Sequence, residues 1–171
     1  MNKDPYQSLM ASAFRYLSIR QRSKKEIREF LEKKATKNDF SLEKVDEVLG
    51  RLEEMEYIND TKFAQMYVSS ALVGKPKGPA TIRFELKQKG VSDEIIQSIL
   101  SQQEEIHDPD SQIRLARKAL GKKGEQYKKL PILECKRKVH DYLLRRGFSA
   151  GTTRQLVDDY CVKSYNKNHE I

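Results

Sequence analysis

The sequence of 171 residues contains no tryptophan, two cysteines, eight glycines and five prolines. So few glycines and prolines exclude a low-complexity linker and argue against general disorder. No apolar run approaches the roughly 20 residues that a helix needs to cross a bilayer. The first residues also lack the apolar stretch of a secretory signal. We therefore expect a cytoplasmic protein without a membrane contact.

Candidate catalytic and metal-binding residues are equally few. Cys135 and Cys161 have neither the close spacing nor the histidine company of a metal site, so we predict two reduced cysteines in helices. The three histidines are scattered, and the segment Gly74–Gly78 lacks the spacing and the terminal Lys-Ser/Thr pair of a phosphate-binding loop. No nucleophile motif and no carboxylate set with metal spacing is present. These absences predict a protein that is not an enzyme, with no metal and no cofactor.

Charge is plentiful and unevenly distributed. The 33 basic and 25 acidic residues give a net charge of +8. Residues 1–70 carry 13 basic and 12 acidic side chains, residues 71–109 carry 5 and 6, and residues 110–171 carry 15 and 7. The last third therefore holds the whole excess, and its field attracts a polyanion or an acidic protein.

Apolar residues recur at helical spacing along almost the whole chain, and no strand pattern is found. Ser23 and Glu26 have the spacing of a capping box, Pro79 suits the first turn of a helix, and Gly90 suits a helix end. We predict about nine helices, with a basic loop from Gly121 to Lys129. The fold class is therefore all-α.

One helical pattern occurs three times. Eight residues of the middle copy reappear 57 positions later without a gap: Ile82, Leu86, Lys89, Gly90, Val91, Ser92, Ile99 and Leu100 match Val139, Leu143, Arg146, Gly147, Phe148, Ser149, Leu156 and Val157. An earlier copy carries four extra residues, with Ile27, Leu31, Phe40, Ser41, Val48 and Leu49 at the matching positions. Such self-similarity predicts three tandem three-helix repeats, at 5–58, 59–106 and 108–165, the last of them basic. Polar end faces make a monomer the expected state.

Several of these residues also form longer motifs: Arg22-Ser23-x-x-Glu26-Ile27-x-x-Phe30-Leu31, Tyr57-Ile58-Asn59-Asp60-x-x-Phe63-Ala64, Gly78-Pro79-x-x-Ile82-x-x-Glu85-Leu86-x-x-Lys89-Gly90 and Arg145-Arg146-Gly147-Phe148-Ser149. These motifs resemble those of the RecX family, bacterial regulators of the RecA recombinase. The resemblance extends from about Ala11 to Tyr160. The chain departs from the family pattern at two positions, with Glu56 where glycine is usual and Asn59 where aspartate is common.

The resemblance implies an elongated, curved stack of repeats that lies along the groove of a RecA–single-stranded-DNA filament. Relatives block filament growth and depress ATP hydrolysis, strand exchange and cleavage of the SOS repressor. On this hypothesis the contact residues are the basic ones that the apolar stripes leave outside: Lys75, Lys77, Arg83, Lys87, Lys89, Lys136, Arg145 and Arg146.

An alternative is a helical protein that binds single- or double-stranded DNA directly and without sequence preference. The last helix begins with Thr152, Thr153, Arg154 and Gln155, which suits DNA, whereas Asp93 and Glu94 of the middle repeat would repel it. Six aromatic residues fall on or beside apolar stripes, and we expect them in the core rather than stacked on bases: Tyr57, Phe63, Tyr67, Phe84, Tyr142 and Phe148.

Overall fold

The computed structural model describes residues 4–169, with side chains for residues 4–161. This part of the chain is built of ten helices without a strand, which confirms the all-α prediction. The helices are α1 Pro5–Leu17, α2 Lys24–Lys37, α3 Leu42–Glu54, α4 Asp60–Leu72, α5 Pro79–Gln88, α6 Asp93–Ser101, α7 Glu104–His107, α8 Pro109–Tyr127, α9 Ile132–Arg145 and α10 Ala150–His169.

The chain divides into two compact units. One contains the residues through 65 together with 86–95, and the other contains 66–85 together with the residues from 96 onward. Each of α4, α5 and α6 contributes to both units, and the repeat boundaries drawn from the sequence stay a prediction. Side chains of residues 162–165, at the end of the predicted third repeat, lie outside the described residues.

Each unit has its own apolar core. In the first, α1, α2 and α3 bury one face each, and the core residues are Leu9, Ala13, Ile27, Leu31, Ala35, Val45, Val48, Leu49, Leu52 and Ile58. In the second, the core residues come from α8, α9, α10 and the turn before α10, and they are Ala116, Ala119, Leu120, Cys135, Val139, Leu143, Phe148, Leu156, Val157, Tyr160 and Cys161. The predicted helical stripes supply most of both cores.

Two segments differ from the sequence prediction. The short helix α7 was not expected, and the predicted loop Gly121–Lys129 is wrong for residues 122–127, which are helical. The break at its start is present, because Gly121 has non-helical backbone at φ 44° and ψ −134° and two helical segments meet there at a kink. Beyond the bend Gly124 is buried, and a methyl group there would lie 2.3 Å from the Tyr160 hydroxyl. The glycine at this position therefore allows the Tyr160 side chain of α10 to pack closely against the basic segment.

The same turn ends α2, α5 and α9, the helices that contain the first two matching apolar residues of each copy. A residue with positive φ follows each helix: Asp39 at 56°, Gly90 at 80° and Gly147 at 83°. The next residue donates its backbone N–H to the carbonyl five positions earlier, at 2.9 Å for Phe40, 3.1 Å for Val91 and 3.2 Å for Phe148. This is the Schellman geometry, which satisfies the last carbonyls of a helix.

A fourth turn of this kind follows α3, at Glu56. Its φ is 57°, and Tyr57 donates its backbone N–H to the Leu52 carbonyl at 2.9 Å. Left-handed backbone costs a side-chain-bearing residue roughly 1–2 kcal/mol, whereas glycine adopts it freely. The conformation gives a physical reason for the glycine that the family pattern has at this position.

We predict that Glu56→Gly raises the free energy of unfolding by about 1 kcal/mol, because it removes the strain of the left-handed residue. The matched control is Glu47→Gly in the interior of α3, since both glutamates pair with a lysine on the surface (Lys62 and Lys44). The control should lose about 1 kcal/mol. Urea denaturation followed by circular dichroism measures both, and a loss of stability in both variants would contradict the prediction.

Candidate partner-binding surface

Four of the eight predicted contact residues meet where the loop before α5 docks on the end of α9. The Arg146 guanidinium donates to the Pro76 carbonyl from Nε at 3.0 Å and from Nη2 at 2.9 Å, and also bonds the Lys75 carbonyl. We call Lys75–Gly78 together with Arg145–Gly147 the loop–helix junction. Lys75 and Arg145 are exposed there.

Two glycines allow this close approach. Gly78 donates its N–H to the Arg146 carbonyl at 2.7 Å, and the Ala80 N–H bonds the Gly147 carbonyl at 3.2 Å. A methyl group on Gly78 would lie 2.2 Å from the carbonyl carbon of Gly147, and one on Gly147 would lie 2.3 Å from the Thr81 nitrogen. The junction is therefore a backbone-to-backbone contact that any larger residue would push apart.

The Lys77 side chain forms an ion pair with Glu85 within the second unit. Its ammonium lies 2.7 Å from a Glu85 carboxylate oxygen and 5.7 Å from the ring centroid of Tyr67. The Tyr67 hydroxyl donates to the other Glu85 oxygen at 2.6 Å. Both charged side chains are less than one third exposed, 31% for Lys77 and 28% for Glu85. The pair therefore attaches the loop to α5 and is not available as a surface charge. Sequence reasoning missed Tyr67 and Glu85 in this role, since neither spacing nor charge indicates the pairing.

Lys89 belongs to a second group of charges, in the first unit, which is centred on Glu26. Glu26 completes the predicted capping box with Ser23, and its carboxylate also accepts from Arg20 at 2.8 Å and from Lys89 at 3.1 Å. Lys89 lies 5.9 Å from the centroid of the Phe63 ring. Lys89 therefore holds the end of α5 against the start of α2, and the Lys25 ammonium adds a bond to the Gln88 carbonyl at 3.0 Å.

These contacts control the ionisation of Glu26. Burial disfavours the charged form, but hydrogen bonds from Arg20, the Ser23 backbone and Lys89 outweigh burial and lower the pKa of Glu26 to about 2. The carboxylate is therefore charged over the whole physiological pH range. A partly buried and fully bonded carboxylate of this kind stabilises the fold rather than serving as an acid or base.

The three remaining predicted residues lie on helix surfaces. Lys87 pairs with Asp93 at 2.8 Å, and Lys136 pairs with Asp158 at 3.1 Å. Arg83 is exposed on α5. Ion pairs of this exposure typically contribute less than about 1 kcal/mol, so both lysines can exchange their partner for another at little cost.

The aromatic prediction holds for part of its set. Phe63 and Phe148 are buried, and Tyr67 and Tyr142 are partly buried. It is wrong for Phe84 and Tyr57, which are 60% and 47% exposed. The buried stripe of α5 consists of Ile82 and Leu86, and Phe84 lies midway between them in sequence, so it faces away from that stripe.

Neither a metal site nor a membrane-spanning segment is found in the described chain. Among the side chains of residues 4–161, no three histidine, cysteine, aspartate or glutamate groups are placed to hold a metal ion. No helix within residues 4–169 is long and apolar enough to cross a bilayer.

Comparisons with known proteins agree with the motifs. Residues 59–100 match the family model described as "RecX, second three-helix domain", and residues 110–157 match "RecX, third three-helix domain". A "Regulatory protein RecX" from Prosthecochloris aestuarii is 35% identical over 86% of this chain and 89% of its own length. One from Bacillus pumilus is 32% identical over 91% of this chain but 54% of its own length. The chain thus spans about half the length of such longer relatives.

Solved structures give the same result. A crystal structure of a regulatory protein RecX matches with a TM-score of 0.74 at 29% identity, covering 91% of this chain and 72% of that one. The structure of RecX from Lactobacillus salivarius matches with a TM-score of 0.71 over 92% of this chain and 97% of that one. At 24% identity, the second similarity is one of fold.

We predict that Glu26→Gln lowers the free energy of unfolding at pH 7 by about 3 kcal/mol, because lowering the carboxyl pKa from 4.5 to about 2 stabilises the folded state by that amount. A carboxylate whose pKa is lower in the folded state stabilises the folded protein fully at pH values above its pKa in the unfolded chain. This contribution is lost as the pH falls toward 2. The natural chain should therefore lose stability between about pH 4.5 and 2 more steeply than the variant. Denaturation midpoints across this range test it, with exposed Glu43→Gln as the control; equal slopes would refute the assignment.

We also predict that Arg146→Ala lowers the free energy of unfolding by about 2 kcal/mol, because it removes charge-assisted bonds to two loop carbonyls. The neighbouring exposed residue supplies the control, since Arg145→Ala should change stability by less than about 0.5 kcal/mol. Thermal or urea unfolding of the two variants measures the change in the free energy of unfolding at each position. Equal effects at both positions would show that Arg146 does not hold the loop.

Proposed function

Since this chain belongs to the RecX family of regulatory proteins, we propose that it is a non-catalytic regulator that binds the RecA–single-stranded-DNA filament. In this proposal it acts in the cytoplasm as a monomer. By binding, it inhibits filament growth, ATP hydrolysis, strand exchange and the co-protease activity toward the SOS repressor, and so modulates DNA repair and homologous recombination. Its candidate contact surface is the loop–helix junction.

The observation that supports this surface is the fixed placement of two exposed cations. Backbone bonds and the Arg146 guanidinium hold the loop, so Lys75 and Arg145 are presented from a preorganised backbone. Preorganisation lowers the conformational entropy that a contact loses on binding. A pair of cations held in this way suits acidic side chains of a protein partner or phosphates of DNA bound to it.

The second candidate is direct DNA binding. It is supported by the excess of basic residues in 110–171 and by exposed Arg154 and Gln155 near the start of α10. Such binding depends on phosphate contacts, so it predicts similar affinity for unrelated sequences and a steep loss of affinity with salt. Inhibition by direct DNA binding requires enough protein to cover the DNA, whereas a filament regulator can act at the growing end of the filament.

Stoichiometry separates the two candidates. DNA-dependent ATP hydrolysis by the RecA of the same organism is measured with this protein well below one per RecA subunit. Inhibition at that ratio supports action on the filament, and inhibition only when the protein saturates the DNA supports direct DNA binding. No effect at either ratio would contradict both.

In this assay we predict that Lys75→Ala/Arg145→Ala raises the concentration for half-maximal inhibition about fivefold, since each lost surface contact is worth up to about 1 kcal/mol. Lys33→Ala/Lys37→Ala removes the same charge from exposed positions of α2 and should leave inhibition unchanged. Equal impairment by the two variants would indicate a dependence on net charge alone, and an unimpaired first variant would exclude the junction as the contact surface.

A further inference from the structure

The two cysteines of the chain touch each other inside the second unit. Cys135 lies in the first turn of α9 and Cys161 lies 26 positions later in α10, yet their Sγ atoms are 2.7 Å apart. Both are free thiols, and they are 3% and 2% exposed. The sequence prediction of two reduced cysteines in helices did not anticipate this contact.

We propose that Cys135 and Cys161 form an oxidisable dithiol, a modification site at which a low-molecular-weight disulfide such as oxidised glutathione introduces a covalent link between α9 and α10. This inference is independent of the proposed function. It rests on the contact of the two sulfur atoms, which needs a movement of only about 0.6 Å to reach the length of a disulfide bond, about 2.05 Å.

The reaction is an exchange in two steps. The thiolate of one cysteine attacks a sulfur of oxidised glutathione, which forms a mixed disulfide and releases one glutathione thiol. The thiolate of the second cysteine then attacks the protein sulfur of the mixed disulfide and releases the second glutathione. The two protein thiols lose two electrons and two protons, and oxidised glutathione is reduced to two molecules of glutathione.

The surroundings of the pair determine how readily it reacts. Burial raises the pKa of the Cys161 thiol, and the Cys135 contact raises it further, although the nearby Lys136 ammonium opposes the shift. A thiolate is the reactive form, so a thiol held protonated and buried reacts slowly with an external oxidant. The first step therefore needs a transient opening of α10, and the second is favoured when the helix closes again.

The test compares the folded and the unfolded chain of 171 residues. The protein is equilibrated in glutathione redox buffers with and without concentrated guanidinium chloride, quenched with acid and alkylated, and the fraction with an internal disulfide is read by mass spectrometry. We expect an equilibrium constant about 400-fold larger in the folded chain, the factor expected for closing a loop of this length. A constant equal to or smaller than that of the unfolded chain would overturn the proposal.

Two further readouts use the same material. Peptide mapping should find one cross-linked species that joins the segments around residues 135 and 161, and the oxidised chain should unfold at a higher urea concentration than the reduced chain. Cys135→Ser should yield a glutathione adduct and no internal disulfide. Covalent dimers in place of the internal link, or an unchanged urea midpoint after complete oxidation, would each count against the site.

Discussion

The helix-ending turn with one left-handed residue is the constraint on which most of this structure depends. At Asp39, Gly90 and Gly147 it reverses the chain within a few residues and satisfies the free carbonyls of the preceding helix. The residue that follows is thereby directed inward, and Val91 and Phe148 are buried. At Gly147 the same turn has a second effect. Because glycine has no side chain, Thr81 can approach the Gly147 backbone, and the loop before α5 packs against the end of α9.

Features set by neighbours in sequence were predictable. The capping box of Ser23 and Glu26 and the start of α5 at Pro79 follow from rules that involve only a few consecutive residues. Gly121 shows the limit of such rules, since a glycine indicates a break but does not show whether another helical segment follows it. Tyr160, which packs against the segment after Gly121, lies nearly forty residues later.

For the candidate surface, the sequence indicated which side chains are charged but not what each of them meets. Lys77 and Lys75 are separated by one residue, yet Lys77 pairs with Glu85 and Lys75 is exposed. Arg145 and Arg146 are adjacent, and only the second bonds the loop. Helical phase alone does not separate such neighbours, because their partners come from loops and from other helices. The contact between Cys135 and Cys161 was unpredictable for the same reason.

The position of Glu26 has a consequence for how the sequence can vary. The carboxylate of Glu26 accepts hydrogen bonds from Arg20, from the Ser23 backbone at the start of α2, and from Lys89. Arg20 and Ser23 lie within six residues of Glu26, whereas Lys89 lies 63 residues away. If the glutamate were lost, Arg20 and Lys89 would be left as like charges facing a shared space, with nothing to offset their repulsion. Changes at the three positions are therefore coupled, and substitutions tolerated in divergent relatives should occur there as sets. Covariation of position 89 with positions 20 and 26 would then follow directly from this single, partly buried charge.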